Sequence, residues 1–385
     1  MNDYLTRLAL LLSLFVIGGC TALPGFHDQI SISVERAGEL HSTLTDVIAR
    51  HQINTAGVAV IRDGRVVWSN HYGQQSPGVA ASDQTLYDVG SITKTVVAET
   101  VLRLVEDGKL SLDEPMSAHW LDPDLKDDPR HLKLTPRMAL SHTTGFMNWR
   151  FFAEDGKLAF IAEPGSRFGY SGEGFKYLAK FVEAKLGESF ETLARRYVFE
   201  PAGVTAVAMS VKSKFFPRIA QPLDTEGRFP GYYCRPEGWC RKEGDFSAAG
   251  GMVISLPDYA RFMAFSMRGD GLTQELMDER DRLQSVEKPI DCNPVPEAQC
   301  PVRVGYGLGW NIAELDNNKT IGHRGSDWSV VSLAYYYEDS RDGFVVLLNA
   351  PNRAGIAAMV DVLRLLDPGS PELHGYIARR ARAAE

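Results

Sequence analysis

Clustered metal ligands are the first thing this sequence lacks. Its 9 histidines are scattered, without a His-x-x-x-His or comparable spacing paired with carboxylates, which argues against a metallohydrolase. A Gly-x-Ser-x-Gly elbow is also missing, so the strand-turn-helix nucleophile of a Ser-His-Asp hydrolase has no place in the chain. Positive charge is short as well. With 41 Lys and Arg against 49 Asp and Glu, the net charge is −8, and a nucleic-acid surface, which needs clustered cations, is not expected. The one basic cluster, Arg379-Arg380-Ala381-Arg382, reads as a solvated tail. Internal repeats and low-complexity segments are absent. Nothing in the pattern calls for a metal or other cofactor, and the oligomeric state is not encoded in any visible feature.

Long apolar runs are confined to the N-terminus. Arg7 precedes an apolar stretch from Leu8 to Ile17 that is too short to span a bilayer as a mature helix, so residues 1–19 are expected to be a targeting segment. The stretch ends in Ile17-Gly18-Gly19-Cys20, which resembles the lipobox of bacterial lipoproteins. That resemblance implies lipidation of Cys20, and Thr21 at the next position implies the outer membrane; acyl chains would anchor the protein without spanning. An ordinary secretory peptide cut nearby is the competing reading. Of the 5 cysteines, Cys234, Cys240, Cys292 and Cys300 remain after Cys20, an even number in an exported chain. Among three connectivities, the local pairs 234–240 and 292–300 are preferred because each closes a short Pro/Gly-bearing loop. A zinc site competes, but no Cys-x-x-Cys pair supports it.

With 385 residues and 44% hydrophobic content, the chain can bury a full core. Residues 20–36 read as a linker, 37–368 as one folded domain and 369–385 as a C-terminal tail. Thr55–Ile61 and Arg65–Tyr72 are strand-like runs joined at Asp63-Gly64, a hairpin signal. Ser329–Tyr337 and Gly343–Asn349 form a second hairpin, followed by helical spacing over Gly355–Leu366. Between them lies a mostly helical section that includes Gly174–Leu186 and Pro257–Met267. The simplest architecture is α+β: terminal strands joined in one antiparallel sheet, with an inserted helical lobe and a ligand cleft between.

The chemistry centres on Ser91-Ile92-Thr93-Lys94. Residues i and i+3 are neighbours on a helix, so the Lys94 amine can reach the Ser91 hydroxyl without any tertiary coincidence. After Asp88-Val89-Gly90, apolar residues recur at Val97, Val101, Leu104 and Val105, the stripe of a helix buried along one face. A second Ser-x-x-Lys, Ser285-Val286-Glu287-Lys288, stands in a charged segment stopped by Pro289 and is read as chance. The bland alternatives are a helix N-cap for Ser91 and a solvated first-turn lysine for Lys94. Further along, Pro164 to Gly172 is a turn-rich approach to Tyr170. A cationic Lys94 beside it would push the phenol below its ordinary value of about 10 and let it take the Ser91 proton. Ile321-Gly322-His323-Arg324-Gly325-Ser326 then precedes a strand, and the amides of Ser91 and Ser326 would make a two-donor oxyanion hole.

These three elements, in this order, resemble the serine hydrolases that include class C β-lactamases, penicillin-binding DD-peptidases, related esterases and D-amino-acid peptidases. Further landmarks are Leu140 to Phe146, Pro164-Gly165, Ala249-Gly250-Gly251-Met252 and Asp258 to Phe262, and the resemblance runs from about residue 40 to about residue 366. It implies Ser91 as nucleophile, Lys94 and Tyr170 sharing the general-base role, and an acyl-enzyme resolved by water. His142, inside the first landmark, is expected to be structural. Two departures bear on substrate. Tyr170-Ser171-Gly172 stands where β-lactamases have Tyr-x-Asn, and His323-Arg324-Gly325 stands where they have Lys-Thr-Gly. A partly cationic histidine weakens the carboxylate anchor unless Arg324 points inward. Both departures count against efficient β-lactam hydrolysis and favour esters or unusual peptides as the small-molecule or peptide substrate; a class C β-lactamase or DD-peptidase acting on β-lactams or cell-wall peptides is the alternative. Tyr233, with Tyr232 and Trp239 around the Cys234–Cys240 loop, is a candidate wall of the cleft. A non-catalytic protein that captures cell-wall peptides or lactams is the reading from another class.

Overall fold

The computed structural model describes residues 33–287, 292, 295 and 298–382. Residues 1–32, with the expected leader and Cys20, lie outside them. Helices are α1 (Val34–Arg50), α2 (Thr93–Glu106), α3 (Pro136–Leu140), α4 (Gly172–Leu186), α5 (Phe190–Ala194), α6 (Leu256–Arg268), α7 (Gln274–Asp281), α8 (Asn352–Leu366) and α9 (Leu373–Arg382). Strands are β1 (Thr55–Arg62), β2 (Arg65–Ser76), β3 (Val79–Ala80), β4 (Leu86–Asp88), β5 (Val207–Ala208), β6 (Val253–Ser255), β7 (Ser285–Val286), β8 (Arg303–Tyr306), β9 (Asn311–Glu314), β10 (Lys319–Asp327), β11 (Val330–Tyr337) and β12 (Gly343–Asn349).

A 9-stranded sheet runs β3-β2-β1-β12-β11-β10-β9-β8-β7, so the N-terminal hairpin pairs with the last strand, Thr55 opposite Asn349 and Ile61 opposite Gly343. The two expected hairpins form, joined through this β1–β12 ladder. Side chains alternate across the sheet with period two. Ala56, Val58 and Val60, with Val346 and Leu348, join α1, α8 and α9 in one core cluster. Ala59, Ile61, Val345 and Leu347 join the helical lobe in the other. Both faces of the sheet are therefore buried, and α2 lies at the junction with the lobe.

Two expectations give way here. The stripe at Val97, Val101, Leu104 and Val105 suggested a helix buried on one face, whereas α2 is buried all round from Thr93 to Leu104. Its polar residues survive burial because they are paired: Glu99 accepts from Arg280 and from Trp310 Nε1, each at 3.0 Å, and holds Arg103 by an ion pair. Residues 369–382 of the expected tail are folded, since Leu373 and Tyr376 bury completely against the α1/α8 face and α9 continues to Arg382. The disulfides Cys234–Cys240 and Cys292–Cys300 both form. Such bonds persist in oxidising, extracytoplasmic compartments. No helix among the described residues is long and apolar enough to cross a membrane.

Candidate active site

Ser91 lies in a short 3-10 turn, Gly90–Ile92, that leads into α2. Its hydroxyl caps neither the turn nor the helix, so the N-cap alternative does not describe it. Lys94, one turn on, is completely buried and donates to Ser91 Oγ at 3.1 Å and to the Ala249 carbonyl at 2.6 Å. Burial, reinforced by the charge of Lys176, lowers its amine from 10.5 to about 7. The Ala249-Gly250-Gly251 landmark thus contributes a backbone acceptor that orients the amine.

Tyr170 is placed by the helix behind it. Ser171 caps α4, accepting from Gly174 N at 3.0 Å and donating to the Met147 carbonyl at 2.8 Å, and Tyr170 immediately precedes that cap. The Lys94 ammonium stands 5.0 Å from its ring centre, and the Ser91 hydroxyl lies near enough to the phenol to pull its titration downward. The expected acidification of the phenol does not occur. Burial raises Tyr170 well above 10, and the Ser91 contact offsets only part of this. Tyr170 is therefore a protonated phenol, able to donate a proton and poorly suited to hold a negative charge.

Two histidines flank Tyr170. His323 is buried, and its ring centre lies 6.3 Å from that of Tyr170. Nδ1 meets the Arg324 carbonyl at 2.7 Å; a carbonyl only accepts, so Nδ1 carries the proton and Nε2 accepts from the Tyr306 hydroxyl at 3.4 Å. Burial, then the nearby Lys94, lowers His323 to about 3. It is a neutral ring rather than the partial cation expected. His142, expected to be structural, packs at 4.3 Å against the Tyr170 ring and accepts from Ser171 N at 3.1 Å. Burial, Lys94 and His323 hold it well below its usual range.

Gly325 brings β10 onto the loop that carries Ser91. A Cβ there would run into Ser332 Oγ and the Val89 carbonyl and stand 3.2 Å from Ser91 N, so only glycine permits this approach. Reciprocally, a Cβ on Gly90, at φ +54°, would stand 3.2 Å from Ser326 N. The Ser91 and Ser326 backbones thus lie side by side at the site. Strand β9 pairs with β10 only over Lys319–Gly322, so the strand beyond Gly322 has no β9 partner at the edge facing Ser91.

Arg324 does not join this group. Strand alternation sends it to the face opposite His323, where its guanidinium forms an ion pair with the buried Glu372 just before α9. Tyr233 packs with Phe216 under the Arg241 guanidinium, and the Asp88 carboxylate helps raise its phenol after burial does so. Asp88, which sequence reasoning passed over, is buried, accepts from Gly90 N at 2.9 Å and is raised to about 6, chiefly by burial. Its position two residues before Gly90, where aspartate closes tight turns, was the available signal. The second Ser-x-x-Lys has no such surroundings. Ser285 donates to the Ser141 carbonyl at 2.6 Å from β7, and Lys288 lies outside the described residues. Among the described residues, no group of three or more His, Cys, Asp or Glu could hold a metal.

A buried lysine three residues after a reachable serine, a phenol beside both, and a glycine-bearing strand edge define an acyl-transfer type of site. The chain belongs to the β-lactamase family: the family model described as "Beta-lactamase" matches residues 40–366. Among curated relatives, it is 26% identical over 167 residues to "Putative penicillin-binding protein PbpX" of Bacillus subtilis (strain 168), a match covering 40% of this chain and 41% of that one. It is 31% identical over 118 residues to "Esterase EstB" of Burkholderia gladioli, covering 29% and 30% respectively. The matches thus span less than half the length of these two relatives. The octameric penicillin-binding protein homologue from Pyrococcus abyssi shares the fold, with a TM-score of 0.68 at 24% identity over 87% of this chain and 78% of that one.

Proposed function

We propose that this protein is a serine hydrolase that transfers the acyl group of an ester or amide through Ser91. One observation carries the reading: a fully buried lysine amine, lowered to about 7, stands 3.1 Å from the Ser91 hydroxyl. Near neutral pH about half of this amine is uncharged, against well under a thousandth for an ordinary lysine, so it has a lone pair to accept a proton. Ser91 Oγ attacks the substrate carbonyl as its proton passes to Lys94 Nζ. The developing oxyanion faces the Ser91 and Ser326 amides, and the proton returns to the leaving group through the Tyr170 phenol as the carbon–heteroatom bond breaks. Water then cleaves the acyl-Ser91 ester.

Esters and small peptides suit the site better than β-lactams. Gly172 offers no side-chain amide for a lactam's acyl-amide group, and His323, at the position of the lysine in Lys-Thr-Gly, is a neutral ring. A fluorophosphonate probe should label the wild-type protein and not Ser91→Ala; labelling that survives the substitution would sink the proposal. Efficient turnover of a chromogenic cephalosporin would shift the reading to a β-lactamase or DD-peptidase. Binding without any Ser91-dependent turnover would point to a non-catalytic capture protein. We also propose attachment to the cell envelope through Cys20, facing the periplasm. Cys20→Ala should then move the protein from the membrane fraction to the soluble one.

A further inference from the structure

We propose that Arg379, on the C-terminal helix α9, is the anion-recognising residue of this site and selects substrates that carry a carboxylate beside the scissile bond. The inference rests on the serine hydrolase reading and deepens it. Helix α9 lies beyond residue 366, where the family match ends, so this arginine is outside the stretch that the family model matches.

The geometry assembles in three steps. Arg324 occupies the strand position next to His323 but turns to the helix face of the sheet, where it pairs with Glu372. That ion pair fastens the residue preceding α9, while Leu373 and Tyr376 are buried in the core beneath. Two turns further along the helix, Arg379 Nη2 donates to Ser326 Oγ at 3.0 Å, and its guanidinium lies over the Tyr376 ring at 5.4 Å. Ser326 is the residue whose backbone borders Ser91 across Gly90. The fixed cation is therefore one serine side chain away from the strand edge along which an acyl substrate would lie.

Its surroundings favour an anion. Asn352 Nδ2 donates to the same Ser326 Oγ at 2.6 Å, so two donors converge there. The nearby Asp327 carboxylate is engaged by Arg235 at 3.0 Å. Among the described residues, no carboxylate forms an ion pair with Arg379, unlike Arg324 and Arg235. A guanidinium held by a hydroxyl and a ring, with its charge unneutralised, can take a carboxylate without first breaking an ion pair.

The test compares three chromogenic esters: p-nitrophenyl acetate, mono-p-nitrophenyl succinate with a carboxylate on the acyl side, and 3-carboxy-4-nitrophenyl acetate with one on the leaving group. Wild type should prefer one of the anionic esters by kcat/KM. Arg379→Gln should lower the ratio of that ester to the acetate by about ten-fold, the scale of one charge-assisted hydrogen bond. Arg379→Lys should restore part of the ratio, and Arg382→Gln, an equal charge loss on the same helix, should leave it in place. A ratio in Arg379→Gln within about two-fold of wild type, or an equal fall in Arg382→Gln, would overturn the inference while leaving the hydrolase reading intact. No Ser91-dependent turnover of any of the three esters would overturn both.

Discussion

Replacing Lys94 by methionine should make the protein more stable and catalytically dead, and the gain should depend on pH. The folded amine sits at about 7 against 10.5 for the free side chain, a shift equivalent to about 5 kcal/mol of burial cost. The sign follows from proton counts. Between these two values the unfolded chain binds more protons than the folded one, so stability rises with pH through that window. The full cost is present below about pH 7 and is relieved as pH climbs toward 10.5. A methionine of similar length escapes the cost but loses the bond to the Ala249 carbonyl, so the net gain near pH 6 should be about 1–4 kcal/mol. By about pH 9 the advantage should shrink by about 2–3 kcal/mol. Urea denaturation of both proteins at the two pH values measures it, since the midpoints convert to free energy through a shared slope. An advantage that stays constant with pH would refute the argument. So would a fluorophosphonate labelling rate in wild type that stays flat through pH 7 and rises only near 10, because Lys94 would then be an ordinary cation.

Tyr170→Phe should lower kcat by about 10²–10⁴-fold, the range of a lost general acid–base group, while the inflection of kcat/KM near 7 survives. If that inflection vanished, Tyr170 rather than Lys94 would be the titrating base. Glu99→Ala removes one of the two carboxylates that hold Arg280, which is 0% exposed and keeps Asp281, and takes the ion-pair partner from the buried Arg103; it should cost about 3–5 kcal/mol in urea unfolding, and a loss under about 1 kcal/mol would show that the network is not coupled. Substituting Cys234 and Cys240 together by alanine should cost about 2 kcal/mol, as expected for so short a loop, with little change in ester turnover. A collapse of activity would instead tie the Tyr232–Trp239 loop to the cleft.

The parts of this molecule legible in the sequence are those set by local pattern. The Asp63-Gly64 hairpin, the β11–β12 hairpin, α4, α6 and both disulfides depend on turn residues, periodicity or short loops; these elements lie within a residue or two of their expected bounds, except that β2 runs four residues past Tyr72 to Ser76. Helix α9 was missed because three of its ten residues are arginines, and its apolar contacts, Leu373, Tyr376 and Ile377, acquire meaning only against α8. His142 was set aside because a histidine within a structural landmark carries no local sign that Tyr170 will stack on it.

The sequence alone determined that a serine and a lysine would stand side by side, since three residues on a helix bring any two side chains together. Only the tertiary structure decided the charges. Burial made Lys94 a near-neutral amine, kept Tyr170 a phenol and His323 a neutral ring, because taking a group out of water penalises its charged form whatever the neighbouring residue types suggest. Strand alternation together with Glu372 turned Arg324 away, and the docking of α9 brought a cation to Ser326 from 53 residues downstream.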